Sequence, residues 1–200
     1  ELIYIHQKYI FVYDKHASEI FIFHNNNFNN FFKYPVTDNN FYISSFDYFQ
    51  ENLYCAGFLK HTKLAKKYKI SSVIIRGGGY RIDDIYFSSY PIEKIKVSPS
   101  GNLIALTETI DKSTRRIKIV DINGLNSYIL YSTKNSLSNI FWIDGNTLCF
   151  LEDNKNIIIS SSIKNKNKVI YSVKNKIIKS IYPISETQIY MLIDSEININ

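Results

Sequence analysis

The chain has 200 residues and a mass of 23.4 kDa, the size of one ordinary domain or of part of a repeat protein. With 45% hydrophobic, 15% aromatic and 21% charged residues it can bury a core, which excludes an intrinsically disordered composition. Its formal charge of +6 comes from 24 Lys+Arg against 18 Asp+Glu, yet only Arg76, Arg81, Arg115 and Arg116 are arginines, which argues against a nucleic-acid binder built on bidentate Arg contacts.

The inflation of Lys, Asn, Ile, Tyr and Phe is what an AT-rich genome encodes, and codon drift is the preferred account of the basic pI of about 9.1. The chain begins on Glu1 rather than Met, which suggests processing or a fragment. Its first segment, ELIYIHQKYIFVYDK, is broken by His6, Lys8, Asp14 and Lys15 and lacks the apolar centre of a signal peptide. No apolar stretch approaches the ~18 residues of a spanning helix, so no membrane span is expected. The expected compartment is the cytoplasm.

In chain order, short Ile-, Val-, Tyr- and Phe-rich runs predict strands at Tyr9–Asp14, Glu19–His24, Phe41–Ser45, Leu53–Phe58 and Ser72–Arg76, with residues 2–24 reading as a hairpin or three strands. Asn25–Asn30 reads as an Asn-rich loop. The best helical candidate, Leu59 to Tyr68, has only a weak apolar stripe through Leu59 and Leu64. Further strands are predicted at Lys94–Val97, Leu103–Thr107, Ile117–Asp121, Ser127–Tyr131, Ile140–Trp142, Thr147–Leu151, Asn156–Ser161, Lys168–Tyr171, Ile177–Tyr182 and Gln188–Ile193. The predicted class is all-β.

The second half carries an internal repeat. The segments IEKIKVSPSGNLIALTE, LSNIFWIDGNTLCFLED and IIKSIYPISETQIYMLID each read as strand, polar turn and second strand ending on an acid, at Glu108, Asp153 and Asp194. The acids recur at separations of 45 and 41 residues, and Tyr131-Ser132 recurs as Tyr171-Ser172 after 40. These are lengths of a four-stranded propeller blade. The expectation is a single β-propeller region over 1–200 in an incomplete set of about four or five four-stranded antiparallel meander blades. The clearest blades are 93–132 and 138–172, with a partial blade at 176–200; 1–90 is read as irregular blades.

The stretch VSPSGNLIALTETIDKSTRRIKIVDING (Val97–Gly124) resembles blades of the prolyl oligopeptidase family of serine peptidases, oligopeptidase-B-like members in particular, where V-S-P-D-G leads into an apolar strand and a later strand ends on Asp-Ile or Asp-Leu. NIFWIDGNTLCFLED (Asn139–Asp153) and KVIYSVKNKIIKSIYPIS (Lys168–Ser185) are similar to the blades that follow. More loosely, the pattern is similar to Tol-type and WD-like propellers. Ser100 stands where that turn usually has Asp, and no WD dipeptide is present. The resemblance implies a seven-bladed propeller capping an α/β-hydrolase domain, with this region gating the access of short peptides. The implied partners are a peptide substrate and the hydrolase domain of the same parent chain. The alternative is a propeller acting as a protein-interaction scaffold without associated enzyme activity.

Catalytic chemistry is scarce. The seven glycines contain no pair four apart, so there is no G-x-S-x-G nucleophile elbow and no hydrolase domain within these residues. Neither a cofactor nor a metal is expected, since His6, His16, His24 and His61 are scattered and Cys55 and Cys149 lie 94 apart in apolar runs, as buried structural thiols do. Arg76-Gly77-Gly78-Gly79-Tyr80-Arg81 lacks the Lys-Ser/Thr and the helix of a phosphate loop and reads as a turn or a blade crossing. At a rim, Arg76, Arg81, Asp83 and Asp84 would offer charges to a partner or a peptide terminus. A triad drawn through Asp47 and His61, or a carboxylate ring from Glu108, Asp153 and Asp194, is disfavoured against ordinary surface and turn roles.

Overall fold

Alternation and turn chemistry build the molecule strand by strand. The computed structural model describes residues 2–6, 9–14, 16–17, 19–24, 27–35, 41–60, 67–76, 79–163, 166–174, 176–185 and 187–195. Among them every regular element is a β-strand, and consecutive strands pair antiparallel into meanders. The first sheet is β1 (Leu2–His6), β2 (Tyr9–Asp14), β3 (Glu19–His24) and β4 (Asn27–Pro35); the second is β5 (Phe41–Phe49), β6 (Asn52–Leu59), β7 (Tyr68–Arg76) and β8 (Gly79–Ser88). The third contains β9 (Ile92–Val97), β10 (Leu103–Thr109), β11 (Arg115–Asp121) and β12 (Ser127–Thr133). The fourth contains β13 (Leu137–Trp142), β14 (Thr147–Glu152), β15 (Asn156–Ser161) and β16 (Lys166–Ser172), and a two-stranded sheet follows, β17 (Lys176–Pro183) and β18 (Ile189–Ser195). Such a succession of four-stranded meanders is the blade series of a β-propeller.

Two expectations for the first half change. Asn27–Asn30, expected as loop, belongs to β4, while Asn25 and Asn26 lie outside the described residues. The strand persists because Phe31 and Tyr34 take their places in the ladder opposite Phe23 and Ile20, and the asparagines are absorbed where the register shifts between Phe23 and His24. The helical candidate Leu59–Tyr68 begins and ends in strand: Phe58 pairs with Tyr68, and the Leu59 N–H donates to the Lys67 carbonyl at 2.7 Å. Residues 61–66 lie outside the described residues.

The turns show why the sequence breaks where it does. At Ser98-Pro99-Ser100-Gly101 the Gly101 N–H donates to the Ser98 carbonyl at 2.8 Å, and Gly101 has φ 73°, which glycine adopts without steric cost. In the next blade the Asp144 carboxylate organises the corresponding turn, accepting from the Asn146 and Thr147 N–H groups at 2.6 and 2.8 Å. Asp153 and Asn154, both at positive φ, lead the three-residue link between β14 and β15, where the Lys155 N–H donates to the Glu152 carbonyl at 3.0 Å, a geometry whose twist matches antiparallel strands.

The chain divides into two compact units, Glu1–Ile95 and Lys96–Asn200. In the first, Phe11, Tyr13, Ile20 and Ile22 of the first sheet pack on Phe41, Ile43, Phe46, Leu53 and Cys55 of the second. In the second, Ala105, Ile117, Ile119 and Leu130 pack on Leu137, Ile140, Leu148, Phe150 and Ile158, and the other face of that sheet, with Cys149, Leu151 and Ile157, packs on Ile178 and Ile181. Every residue of β14 is buried, because neighbours cover it on both faces and both edges.

The first strands also touch. Ser44 Oγ donates to the Ile92 carbonyl at 2.7 Å, Trp142 Nε1 to the Lys96 carbonyl at 2.9 Å, and Ser180 Oγ to Asn139 Oδ1 at 3.4 Å. Register shifts in β5, β13 and β17 sit near these contacts, after Ile43, Ser138 and Ile178 respectively. A bulge re-aims side chains out of the ladder, here towards the neighbouring blade.

Candidate functional site

The glycine-rich segment is a hairpin and not a phosphate cradle. Arg76 pairs with Gly79 at the end of the β7–β8 ladder, so the segment returns into strand and opens no helix; Gly77 and Gly78 lie outside the described residues. Arg81 and Asp83, two apart on β8, share a face and form an exposed ion pair at 2.9 Å. Asp84 points to the opposite face, where it accepts from Lys69 Nζ at 2.8 Å and Ser71 Oγ at 2.6 Å. The Lys69 ammonium also stands 4.9 Å from the centroid of the Phe41 ring, so its charge is held on both sides inside the unit. The three of these charges whose side chains are described do not converge: Arg81 and Asp83 face outwards, and Asp84 ties β7 to β8.

The acids of the repeat occupy unlike environments. Glu108 is fully buried and binds Arg116 Nε across the β10–β11 ladder at 2.5 Å. Asp153 is a turn residue, and Asp194 pairs at the surface with Lys179. No carboxylate ring results. Strand alternation shows that the counterpart of Glu108 is Glu152, which the sequence comparison missed by one residue. Leu148, Phe150 and Glu152 share one face of β14, as Ile104, Leu106 and Glu108 share one face of β10.

Glu152 is buried and reaches back to the preceding blade. Its Oε1 accepts from Tyr131 Oη at 2.9 Å and Thr133 Oγ1 at 2.5 Å, while Asn156 Nδ2 lies 3.4 Å from Oε2. Burial alone would raise its pKa, but hydrogen bonds from Thr133, Tyr131, Asn135 and Asn156 outweigh that and hold it below the ordinary value. Burial and the same carboxylate push the Tyr131 hydroxyl up to about 12. This cluster fastens blade to blade and leaves no free base for chemistry.

Asp47, drawn with His61 as a possible dyad, is buried on β5 opposite Tyr54, and His61 lies outside the described residues. Cys55 and Cys149 are buried free thiols, each pushed up to about 12 by desolvation, which makes them poor nucleophiles. Among the described residues no group of His, Cys, Asp and Glu is arranged to hold a metal ion.

No family model and no curated protein matches this chain. Solved structures do. A Mycobacterium tuberculosis puromycin-hydrolyzing peptidase is similar over 88% of this chain and 31% of its own, with a TM-score of 0.61 at 10% identity. The Kuenenia stuttgartiensis hydrazine synthase is similar over 92% and 58%, with a TM-score of 0.62 at 12% identity. A chain of a nidogen/laminin complex is similar over 90% and 64%, with a TM-score of 0.58 at 14% identity. The fold they share with this chain is the β-propeller. Identities of this order carry the fold and no more, and the chain spans between about a third and two thirds of these structures.

Proposed function

We propose that this chain is a non-catalytic propeller portion of a prolyl-oligopeptidase-like serine peptidase, acting sterically to admit short unstructured peptides to a hydrolase domain elsewhere in the parent protein. The observation that carries the reading is the Val97–Gly124 unit, whose Ser98–Gly101 turn and β10–β11 hairpin have the pattern of that family's blades. The likeness in fold to a peptidase over 88% of this chain supports it. So does the engagement of Glu108, Glu152 and Asp84 in structural contacts, since such acids are unavailable as catalytic groups.

The test is made on the full-length protein, with a fluorophosphonate probe for activated serine and a ladder of peptides against a folded protein substrate. The expected result is labelling outside residues 1–200 and cleavage restricted to short peptides; a full-length protein that is never labelled overturns the reading.

The alternative, an interaction scaffold without an enzyme, draws on the outward Arg81–Asp83 pair at the hairpin that Arg76 and Gly79 close. The substitution Arg81→Glu separates the two. A peptide gate responds with a higher KM for peptides bearing a free carboxylate at unchanged kcat, whereas a scaffold turns over no peptide and registers the substitution only as weakened binding of its partner.

A further inference from the structure

One end of the second sheet carries a row of rings. Tyr42 on β5 stands directly opposite Phe58 on β6, and Phe58 opposite Tyr68 on β7, so three aromatic side chains lie side by side on one face. The Tyr42 and Phe58 rings stack with centroids 5.2 Å apart and planes 13° from parallel, and the Tyr68 ring leans on Phe58 at 6.4 Å. Phe58 is 40% exposed, although a sheet precedes and another follows its own in the chain. Lys60, just past the end of β6, reaches back over the row: its Nζ donates to Tyr42 Oη at 3.1 Å and stands 5.2 Å from that ring's centroid.

The charge beside the row is of one sign. Residues 60–69, KHTKLAKKYK, hold five lysines and no Asp or Glu. Lys69 is taken up by Asp84, whereas Lys60 and Lys67 make no ion pair among the described residues. The two lie close together, because the Leu59 N–H donates to the Lys67 carbonyl at 2.7 Å. An apolar shelf under uncompensated ammonium groups suits a ligand that joins an apolar ring to negative charge. The geometry points to recognition here of a short peptide in which an aromatic side chain is flanked by Asp or Glu. The ring packs against Phe58 and Tyr68, and the carboxylates take the remaining donors of Lys60 and Lys67. A single-stranded nucleic acid suits the shelf less well. The row crosses three strands, about 10 Å, and Lys60 and Phe58 already cover the faces of Tyr42, so successive bases find no run of open rings. Such recognition rests on the reading of this region as one that admits peptides, and it names the class admitted. Tyr68 and Arg76 bound β7, about 25 Å apart at the rise of an extended strand, so the shelf is a contact point separate from the Arg81–Asp83 pair.

The experiment titrates the full-length protein, by fluorescence anisotropy, into a labelled hexapeptide blocked at both ends, with Phe at its centre among Asp and Glu. The comparisons are the same peptide with Lys in place of the acids, the same peptide with Ser in place of Phe, and a labelled oligothymidylate. The acidic Phe peptide is expected to bind about tenfold more tightly than any of these. The charge reversal Lys60→Glu with Lys67→Glu is expected to cost it about tenfold and to strengthen binding of the lysine peptide. Phe58→Ala is expected to weaken it severalfold, with far-UV circular dichroism verifying the fold of each variant. Equal binding of the acidic and basic peptides overturns the proposal. So does an oligothymidylate that binds as tightly as the acidic peptide, and so does an affinity that the charge reversal leaves unchanged. Labelling by the fluorophosphonate probe is read on the same samples. Acidic-peptide binding without labelling removes the peptidase and keeps the shelf as a peptide site, whereas labelling without the acidic preference overturns the shelf alone.

Discussion

Glu152 shows how one side chain sets the energetics of a blade junction. Its carboxylate is charged in the fold at a pKa below its ordinary 4.5, so it contributes stability above that value and loses the contribution as pH falls through the depressed folded value. Glu152→Gln is therefore expected to cost about 1 kcal/mol near neutrality, the difference between a charged and a neutral acceptor. The gap between the two proteins should close on acidification below the depressed value, as read from urea unfolding at a series of pH values. Arg116 is a harsher case. Its removal leaves the Glu108 charge in full burial, and Arg116→Ala is expected to cost about 3 kcal/mol or more in the same assay. At the Ser98–Gly101 turn, Gly101→Ala forces a Cβ into a left-handed conformation, and a loss of about 1–2 kcal/mol is expected in thermal unfolding.

At the level of the element, close approach makes β6 intolerant of change. A Cβ on Gly57 would come within 1.9 Å of the Tyr42 carbonyl oxygen, which is backbone and cannot rotate aside. Gly57→Ala must pry β5 from β6, with an expected cost of about 3 kcal/mol and lowered protection of the β6 amides in hydrogen exchange. The strands themselves were readable from period-two alternation: β2, β3 and β15 have the ends the sequence implied, since Asp14, His24 and Ser161 stand where apolar runs meet polar turns. β4 was not readable, because asparagine is a turn former by local chemistry and only pairing with β3 overrides it. The repeat of acids was read one residue out at Asp153 for a related reason. Glu152 at the end of β14 and Asp153 at the start of the link stand side by side, and only the alternation of buried faces tells the inter-blade acid from the turn one.

For the whole molecule, the blade series was legible because its spacing survives large changes in sequence, while the site was not. Arg81 and Asp83 lie on one face of β8 and Asp84 on the other, and charge in the sequence gives no hint of whether a partner is already present, as Lys69 is for Asp84. Burial is uneven across the sheets. β14 is covered throughout, whereas β16 is exposed along almost its whole length as the outer strand of the same sheet. Amide exchange is expected to be slowest in β10, β14 and β15 and fastest in β12 and β16, a gradient within each sheet from its second strand outwards. Protection that rises towards β12 and β16 would contradict this order.

The register shifts of the fourth strands recur from sheet to sheet. Ile70 faces Tyr86, Ile117 faces Tyr131 and Ile157 faces Tyr171, and in each case the ladder skips the residue just before the tyrosine. The same bulge stands at the same place in three sheets, beside a fully buried isoleucine, so it belongs to the repeated unit rather than to any one sheet. The segments are accordingly modular: β11–β12 and β15–β16 are interchangeable in register, and a chimera exchanging them keeps its ladder where an exchange cut through the bulge does not.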